Sequence, residues 1–373
     1  MNEVDKFEKI IGLKRRELEF DFFETLENIC KFYKNKGKRI IIYGAGSTGR
    51  LVFKYLKSKD IEINYFSDSD VEKHGNFLEG KKILPPKSLS PNDFVVIASS
   101  WEQEIAIYLK RRKIRYVSGF FEILSDLWIA PYSILREHLS ELLHFFDMLF
   151  DEESKNSFIR IFRYLIKRDP LELKKSFYEQ YFHPFIDFNK IECVIDGGAY
   201  PGDFTDKVLK DYSKISCYLF EPDPENYKFL ASKYKDDLNI KLINKALFNS
   251  MAKISFSSGI GMGSHIDFLE RNINNSPQVE VETVPLDGFL LKEGLNSNIS
   301  LYIKMDIEGA ELDALRGAEN TIKKLKPKLA VCLYHRPEHL FLIPSYLESL
   351  NNSYRFFLGH HENKWHEVVL YAL

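Results

Sequence analysis

Two short stretches of this 373-residue chain are built to the same plan: IIIYGAGSTGRLVFKYL at 40–56 and CVIDGGAYPGDFTDKV at 193–208. Each runs from an apolar strand through a glycine turn into helical spacing. Such a turn presents backbone N–H groups at a helix N-terminus, a place where a nucleotide is held. Each also needs its own alternating set of strands and helices, so the pair predicts two α/β domains.

The pattern around the two turns sets the boundaries. An N-terminal helical segment covers 1–37, with apolar residues at helical spacing from Phe7 to Ile29. A smaller Rossmann-like α/β domain follows over 38–125, with strands at 39–43, 62–66 and 94–98 and helices at 47–58 and 101–112. Residues 126–188 are rich in Leu and Phe and carry the acidic run DEES, which predicts a helical connector. The larger unit covers 189–373. Its strands are expected at 191–195, 216–220, 240–246, 301–305, 328–333, 353–358 and 366–372, with helices at 203–211, 224–234, 309–325 and 337–350. A seven-stranded, mostly parallel sheet with an antiparallel last strand accommodates this order.

Composition excludes several classes. Hydrophobic residues are 45% and charged residues 28% of the chain, and the net charge is −2. That balance gives no general attraction to nucleic acid, and the only Pro-Pro pair is LPPK. The four cysteines are scattered, which predicts reduced, buried thiols. No apolar run reaches about 18 residues, so no membrane span is expected. The charged N-terminus lacks a signal-peptide core, making the cytoplasm the expected location.

The turns differ in charge. Tyr43 precedes Gly44, so the mouth of the first turn reads as free of fixed negative charge. Gly44, Gly46 and Gly49 form GxGxxG, and Asp68 follows at the spacing of a ribose-binding acid. A nucleotide or nucleotide-sugar fits there. In the second turn Asp196 stands in front of the glycines and Glu221 ends the next strand. Carboxylates at both places repel a diphosphate but tolerate a cationic nucleoside, which favours S-adenosylmethionine (SAM).

VIDGGAYPGDFT, YLFEPDPENYKFL, VETVPLDGFL and LYIKMDIEGAELDALRGAENTIKKLKPKLAVCLYHRPEHL together resemble the FkbM-like family of SAM-dependent methyltransferases over about residues 181–372. The resemblance implies a class I (Rossmann-like) methyltransferase domain, a SAM cofactor, and methyl transfer to a hydroxyl of a small molecule or glycan. The chain departs from many class I enzymes at Tyr200, which sits where a third alternating glycine is common. The N-terminal unit is similar to the nucleotide-sugar-binding domain of some bacterial sugar acetyltransferases, on IIIYGAGSTG, YFSDSD, FLEGKKILPPKSL and DFVVIASS.

The candidate cofactor residues are Asp196 for the ammonium, Gly198, Tyr200 and Gly202 in the turn, Glu221 and Pro222 for the ribose, Ala246 and Leu247 beside adenine, and Asp306 near the methyl group. Each has a structural alternative: Asp196 as a helix cap, Ala246 and Leu247 as plain core. The catalytic candidates are Asp306, Glu308 and His335 as bases, with Lys304 pairing an acid or touching substrate. Asp306 and Glu308 are also candidates to hold a divalent cation, against a helix-dipole role. Ser264 and His265 in a glycine-serine loop, and His360 and His361 in the last turn, are substrate candidates. A solvated loop or turn is the alternative for both.

Two other functions compete. GAGSTG invites an NAD-dependent oxidoreductase or epimerase using Tyr55 and Lys59, although that pair lies on the helix right after the turn. Alternatively the N-terminal unit is a binding or dimerisation module without chemistry. A homo-oligomer stays open.

Overall fold

The structure is a computed structural model that describes residues 2–119, 133–257, 265–266, 278–295, 299–362 and 366–373. The chain divides into two compact units. Residues 1–144, 155–175 and 362–366 form the first, and 145–154, 176–361 and 367–373 the second. The stretch from 126 to 188 is thus shared between them.

The first unit is built on β1 (Arg39–Tyr43), β2 (Tyr65–Ser67), β3 (Phe77–Leu78), β4 (Lys81–Leu84), β5 (Asp93–Ile97) and β6 (Arg115–Ser118). They form one sheet in the order β3-β4-β2-β1-β5-β6, parallel except for the β3–β4 pair. The run IIIY is apolar throughout because both faces of β1 are covered. Ile40 and Ile42 pack with Leu26, Ile29, Val52 and Leu56 from helices Leu26–Asn35 and Ser47–Ser58. Ile41 and Tyr43 pack with Ile105 and Leu109 from helix Glu102–Arg111. The helical stretch expected before β1 is broken. Gly12, at φ +63°, ends helix Glu3–Ile11, and the Thr25 hydroxyl restarts the chain by accepting the Asn28 N–H at 3.2 Å.

The second unit contains β7 (Cys193–Gly197), β8 (Ser216–Phe220), β9 (Ile240–Ile243), β10 (Ala246–Leu247), β11 (Lys253–Ser257), β12 (His265–Ile266), β13 (Gln278–Val284), β14 (Leu301–Met305), β15 (Lys328–Cys332), β16 (Phe356–His360) and β17 (Val368–Ala372). Seven of them form a sheet in the order β16-β17-β15-β14-β7-β8-β9. β17 runs antiparallel to both β15 and β16. The chain leaves β7 towards β8 and β9, then returns to build β14 and β15 on the other side. The strand order therefore reverses between β7 and β14, the point at which doubly wound sheets bind ligands outside the carboxyl ends of their strands.

Two expected elements are shorter than their sequence pattern. The third strand stops at Ile243, and Ala246–Leu247 pair with β13 in a separate small sheet, β10-β13-β11-β12. The helix expected over 309–325 is two helices, Glu311–Arg316 and Glu319–Leu325. At Gly317, between them, a Cβ would lie 2.0 Å from the Phe248 carbonyl oxygen. That close backbone approach is a tertiary demand that helical periodicity does not display. Edge strand β16 is covered: the Phe356 carbonyl accepts from the Phe150 N–H at 2.8 Å, and Ser154 and Ser176 hydroxyls accept from Leu358 and His360 N–H. No helix among the described residues is long and apolar enough to cross a membrane.

Candidate active site

The turn after β7 requires glycine because of its neighbours. Gly198 has φ +74°, and a Cβ there would lie 1.9 Å from the Asp306 carbonyl oxygen. Glycine alone lets the exits of β7 and β14 approach so closely. Gly202, at φ +94°, caps helix Asp203–Asp211. The Tyr234 hydroxyl donates to its carbonyl at 2.9 Å and to Asp206 at 2.7 Å. The Tyr200–Pro201 peptide is cis, and the Tyr200 ring meets Phe229 edge-on with centroids 5.4 Å apart.

Asp196 does not face this turn as a free acid. Its side chain is fully buried. Oδ2 accepts from the Thr205 hydroxyl at 2.7 Å, and Oδ1 lies 3.1 Å from Lys304 Nζ. Lys304 also donates to the carbonyls of Gly197 at 3.1 Å and Gly198 at 2.6 Å. Burial works against its charge, but Asp196 and Asp306 outweigh that and hold the ammonium above its usual range. The expected ammonium-binding role of Asp196 is therefore corrected: its charge is spent on Lys304. The Lys304 protons are likewise spent on protein oxygens.

Glu221 lies at the tip of β8, 5% exposed. Its carboxylate accepts from the Tyr200 N–H at 3.3 Å and the Asp223 N–H at 3.0 Å. Burial raises its carboxyl to about 7, with these N–H groups pulling the other way. Pro222 is held through its carbonyl by Asn244. Ala246 and Leu247 are buried at 5% and 2% exposure, and Ala246 belongs to a small core with Val281 and Ala310.

On the other side of the turn, Asp306 follows β14. Its Oδ2 accepts from the Tyr181 hydroxyl at 2.8 Å and its Oδ1 from the Tyr334 hydroxyl at 3.0 Å. About a fifth of its side chain, 22%, stays accessible. Next to it is a charged cluster. His335 Nδ1 bonds Glu311 Oε1 at 2.8 Å, and its Nε2 lies 3.4 Å from both Asp306 Oδ1 and Glu308 Oε2. Glu311, fully buried, accepts from the Ile307 N–H at 2.9 Å and lies 3.3 Å from His339 Nδ1. Burial alone would favour neutral imidazole at His335, but Glu311, Glu308 and Asp306 raise it to about 10. Glu311 is correspondingly held well below the usual carboxylate range: burial pushes it up, and His335 and His339 overcome that. His335 is thus a cation at neutral pH, which argues against the expected role as a base. Glu308 stands in the left-handed region at φ +56°, with 36% of its side chain accessible. Its crowded surroundings raise its carboxyl to about 8, His335 opposing and Asp306 and Glu311 adding to the rise.

Among the described residues, no group of three or more His, Cys, Asp or Glu side chains is arranged to hold a metal ion, so the divalent cation finds no support. Ser264 lies outside the described residues, and His265 is described only as backbone in β12. His360 ends β16 with 1% exposure, and His361 Nε2 is 2.9 Å from the Tyr371 hydroxyl. The sequence pattern does not single out Tyr334 or Thr205, and it leaves Tyr181, in the aromatic stretch before β7, as part of a pocket lid or, more strongly, as core packing. Tyr334 adjoins a recognised candidate, but a hydroxyl aimed at an acid 28 positions away leaves no local pattern.

The first unit's turn is also not free of charge. Asp68 Oδ2 accepts the Ala45 N–H at 2.8 Å and lies 3.1 Å from Lys73 Nζ, and Oδ1 accepts the Asp70 N–H at 2.9 Å. Burial raises its carboxyl, but the Asp70 and Ala45 N–H groups and Lys73 together bring it below the usual range. A Cβ would lie 2.2 Å from the Ala98 carbonyl oxygen at Gly44 and 1.8 Å from that of Gly44 at Gly49, whereas Gly46 faces open space. Tyr55 and Lys59 meet as a cation over a ring, 5.7 Å apart.

The second unit is a mixed α/β fold: a doubly wound sheet with one antiparallel strand and a glycine turn at its reversal. Comparison with known proteins finds that residues 196–356 match the methyltransferase FkbM domain, which supports a methyltransferase. Residues 36–115 match the C2185-like N-terminal domain, and the likeness to sugar acetyltransferases is not supported. The chain is similar in fold to a methyltransferase FkbM from Methylobacillus flagellatus KT, with 18% identity, TM-score 0.74, and 100% of this chain and 99% of that one covered. Two slighter likenesses are too partial to carry weight. UDP-D-quinovosamine 4-dehydrogenase from Vibrio fischeri has 21% identity over 27% of this chain and 85% of that one, with TM-score 0.19. Aeropyrum pernix fibrillarin, solved with S-adenosyl-L-methionine, has 12% identity over 49% and 66%, with TM-score 0.30. No curated protein sequence is significantly similar to the chain.

Proposed function

We propose that the second unit is a SAM-dependent O-methyltransferase acting on a hydroxyl of a sugar or nucleotide-sugar, in surface-glycan synthesis. The observation that carries the cofactor is the charge around the glycine turn. The turn lies between the carboxylates of Glu221 and Asp306. Lys304, buried beneath it, already bonds Asp196, Gly197 and Gly198. Lys233 at its far end bonds the Pro201 carbonyl and Asp206, and His335 is shared among Asp306, Glu308 and Glu311. A diphosphate would meet two acids and no spare counter-charge there. A cationic nucleoside meets acceptors for its ribose hydroxyls at Glu221 and an acid at Asp306.

When bound, SAM supplies a methyl group on a positively charged sulfur that departs as a neutral thioether. The chain's part is to hold the acceptor oxygen in line behind that methyl and to receive its proton. Glu308 is our choice for the proton: with its carboxyl raised to about 8, it accepts through its ionised fraction, which grows as pH rises towards 8. It is more accessible than Asp306, His335 is already protonated, and both Asp306 oxygens accept phenolic hydrogen bonds. The sugar acceptor rests on the resemblance to the family and on the nucleotide-type turn of the first unit.

Calorimetric titration with SAM tests the cofactor: binding is expected, and its absence at millimolar SAM removes the proposal. Mass spectrometry of nucleotide-sugars and glycans incubated with labelled SAM tests the acceptor. A gain of one methyl on a sugar hydroxyl is expected, whereas transfer to a nitrogen, or only to acceptors that are not sugars, refutes the sugar assignment.

A further inference from the structure

We infer that Asp306, held by the Tyr181 and Tyr334 hydroxyls, is the fixed counter-charge for the sulfonium of the cofactor rather than the acceptor of the substrate proton. This rests on the SAM reading above and assigns one group within it. Among the acids around the reversal of strand order at β7 and β14, Asp196, Glu311 and Glu308 have other engagements. Asp196 is fully buried and neutralised by Lys304. Glu311 is fully buried and bonded to His335 and two loop N–H groups. Glu308 has no tyrosine fixing it and reaches towards His335.

Asp306 differs from all three. One phenol donates to each of its oxygens, from separate segments of the chain, at 2.8 and 3.0 Å. Hydrogen bonds to both oxygens restrict rotation of the carboxylate. Tyr181 is itself buried, 8% exposed. Its N–H donates to the Tyr371 hydroxyl and its carbonyl accepts from the Tyr302 hydroxyl, so the clamp is anchored in the core. The remaining 22% of Asp306 is open, and its backbone adjoins the glycine turn through the Asp306 N–H to Gly197 carbonyl bond at 3.2 Å. A carboxylate that is oriented and accessible beside the turn attracts a cation that is brought there. His335, 3.4 Å away, offsets only part of the charge, because Glu308 and Glu311 share the same imidazolium.

The test uses three ligands of nearly one shape: SAM, its neutral thioether product S-adenosylhomocysteine, and sinefungin, which carries an ammonium in place of the sulfonium. Calorimetry on Asp306→Asn is expected to show SAM and sinefungin weakened about tenfold, with the thioether changed by less than twofold. Tyr181→Phe leaves the carboxylate but removes one of its holders, and is expected to give the same selective loss at about threefold. It also serves if Asp306→Asn does not fold. Equal loss for all three ligands in either variant, or no loss, overturns the inference while the cofactor reading stands. If the wild-type chain binds none of the three, the cofactor reading falls and the inference with it.

Discussion

At 44–49 a carboxylate from beyond the neighbouring strand closes onto the glycine turn; at 197–202 an ammonium from the neighbouring strand lies beneath it. Asp68 takes the Ala45 N–H, one of the donors that such a turn would offer an anion. Lys304 takes the carbonyls of Gly197 and Gly198 and spends its charge on Asp196. Both turns are thus partly satisfied by the protein itself, with groups of opposite sign. The difference teaches that a glycine turn does not announce its ligand. What remains after internal pairing decides it: around the second turn, Glu221, 5% exposed at the tip of β8, and Asp306, partly accessible.

The largest effect is expected from Lys304→Met. It leaves Asp196 as an unpaired charge in the core, at a cost of roughly 3–5 kcal/mol, read as a fall in the midpoint of chemical denaturation. A loss below about 1 kcal/mol would mean that the pair does not hold this turn. Next comes Gly198→Ala, where the added Cβ meets the Asp306 carbonyl and the left-handed backbone adds its own penalty. Together these predict a loss of roughly 2–4 kcal/mol. By contrast, Gly46→Ala in the first unit's turn puts a Cβ into open space and is expected to shift stability by no more than about 0.5 kcal/mol.

A pH titration sharpens the contrast further. The Glu221 carboxyl is raised to about 7, so below that pH the unliganded chain holds it protonated and it is a poor acceptor for two ribose hydroxyls. Affinity for SAM should therefore rise by about tenfold at most between pH 6 and 8, and Glu221→Gln should flatten the rise. An unchanged slope in that variant would remove Glu221 from the ribose site. Of the two bracing charges, Asp68→Ala is expected to have the smaller effect. The residue is partly exposed and the N–H groups it serves can turn to water, so about 1–2 kcal/mol is expected. A loss as large as that of Lys304→Met would show the two turns to be braced alike.

Much of the fold was legible because it rests on local pattern. The alternation of apolar runs and helical spacing marked β1, β7, β8, β14 and β15 to within a few residues, and the antiparallel end of the sheet followed from the closing strands. The failures have physical causes. Gly317 breaks a helix because another backbone comes within reach of its missing Cβ. Ala246 and Leu247 leave the third strand to pair with β13. Within the site, Glu221 and Asp306 were legible as acids at strand tips. Their partners were not, since Tyr181, Tyr334 and Thr205 reach their acids from other segments.

Taken alone, the sequence determined that two glycine turns end buried strands, and that acids crown the second turn's neighbours, because strand period and residue type are local properties. Which acid stays available for a ligand was decided only by tertiary structure. A carboxylate's charge depends on what packs against it: Lys304, 108 positions from Asp196, removes one acid from play, and two tyrosines from separate segments hold the other in place.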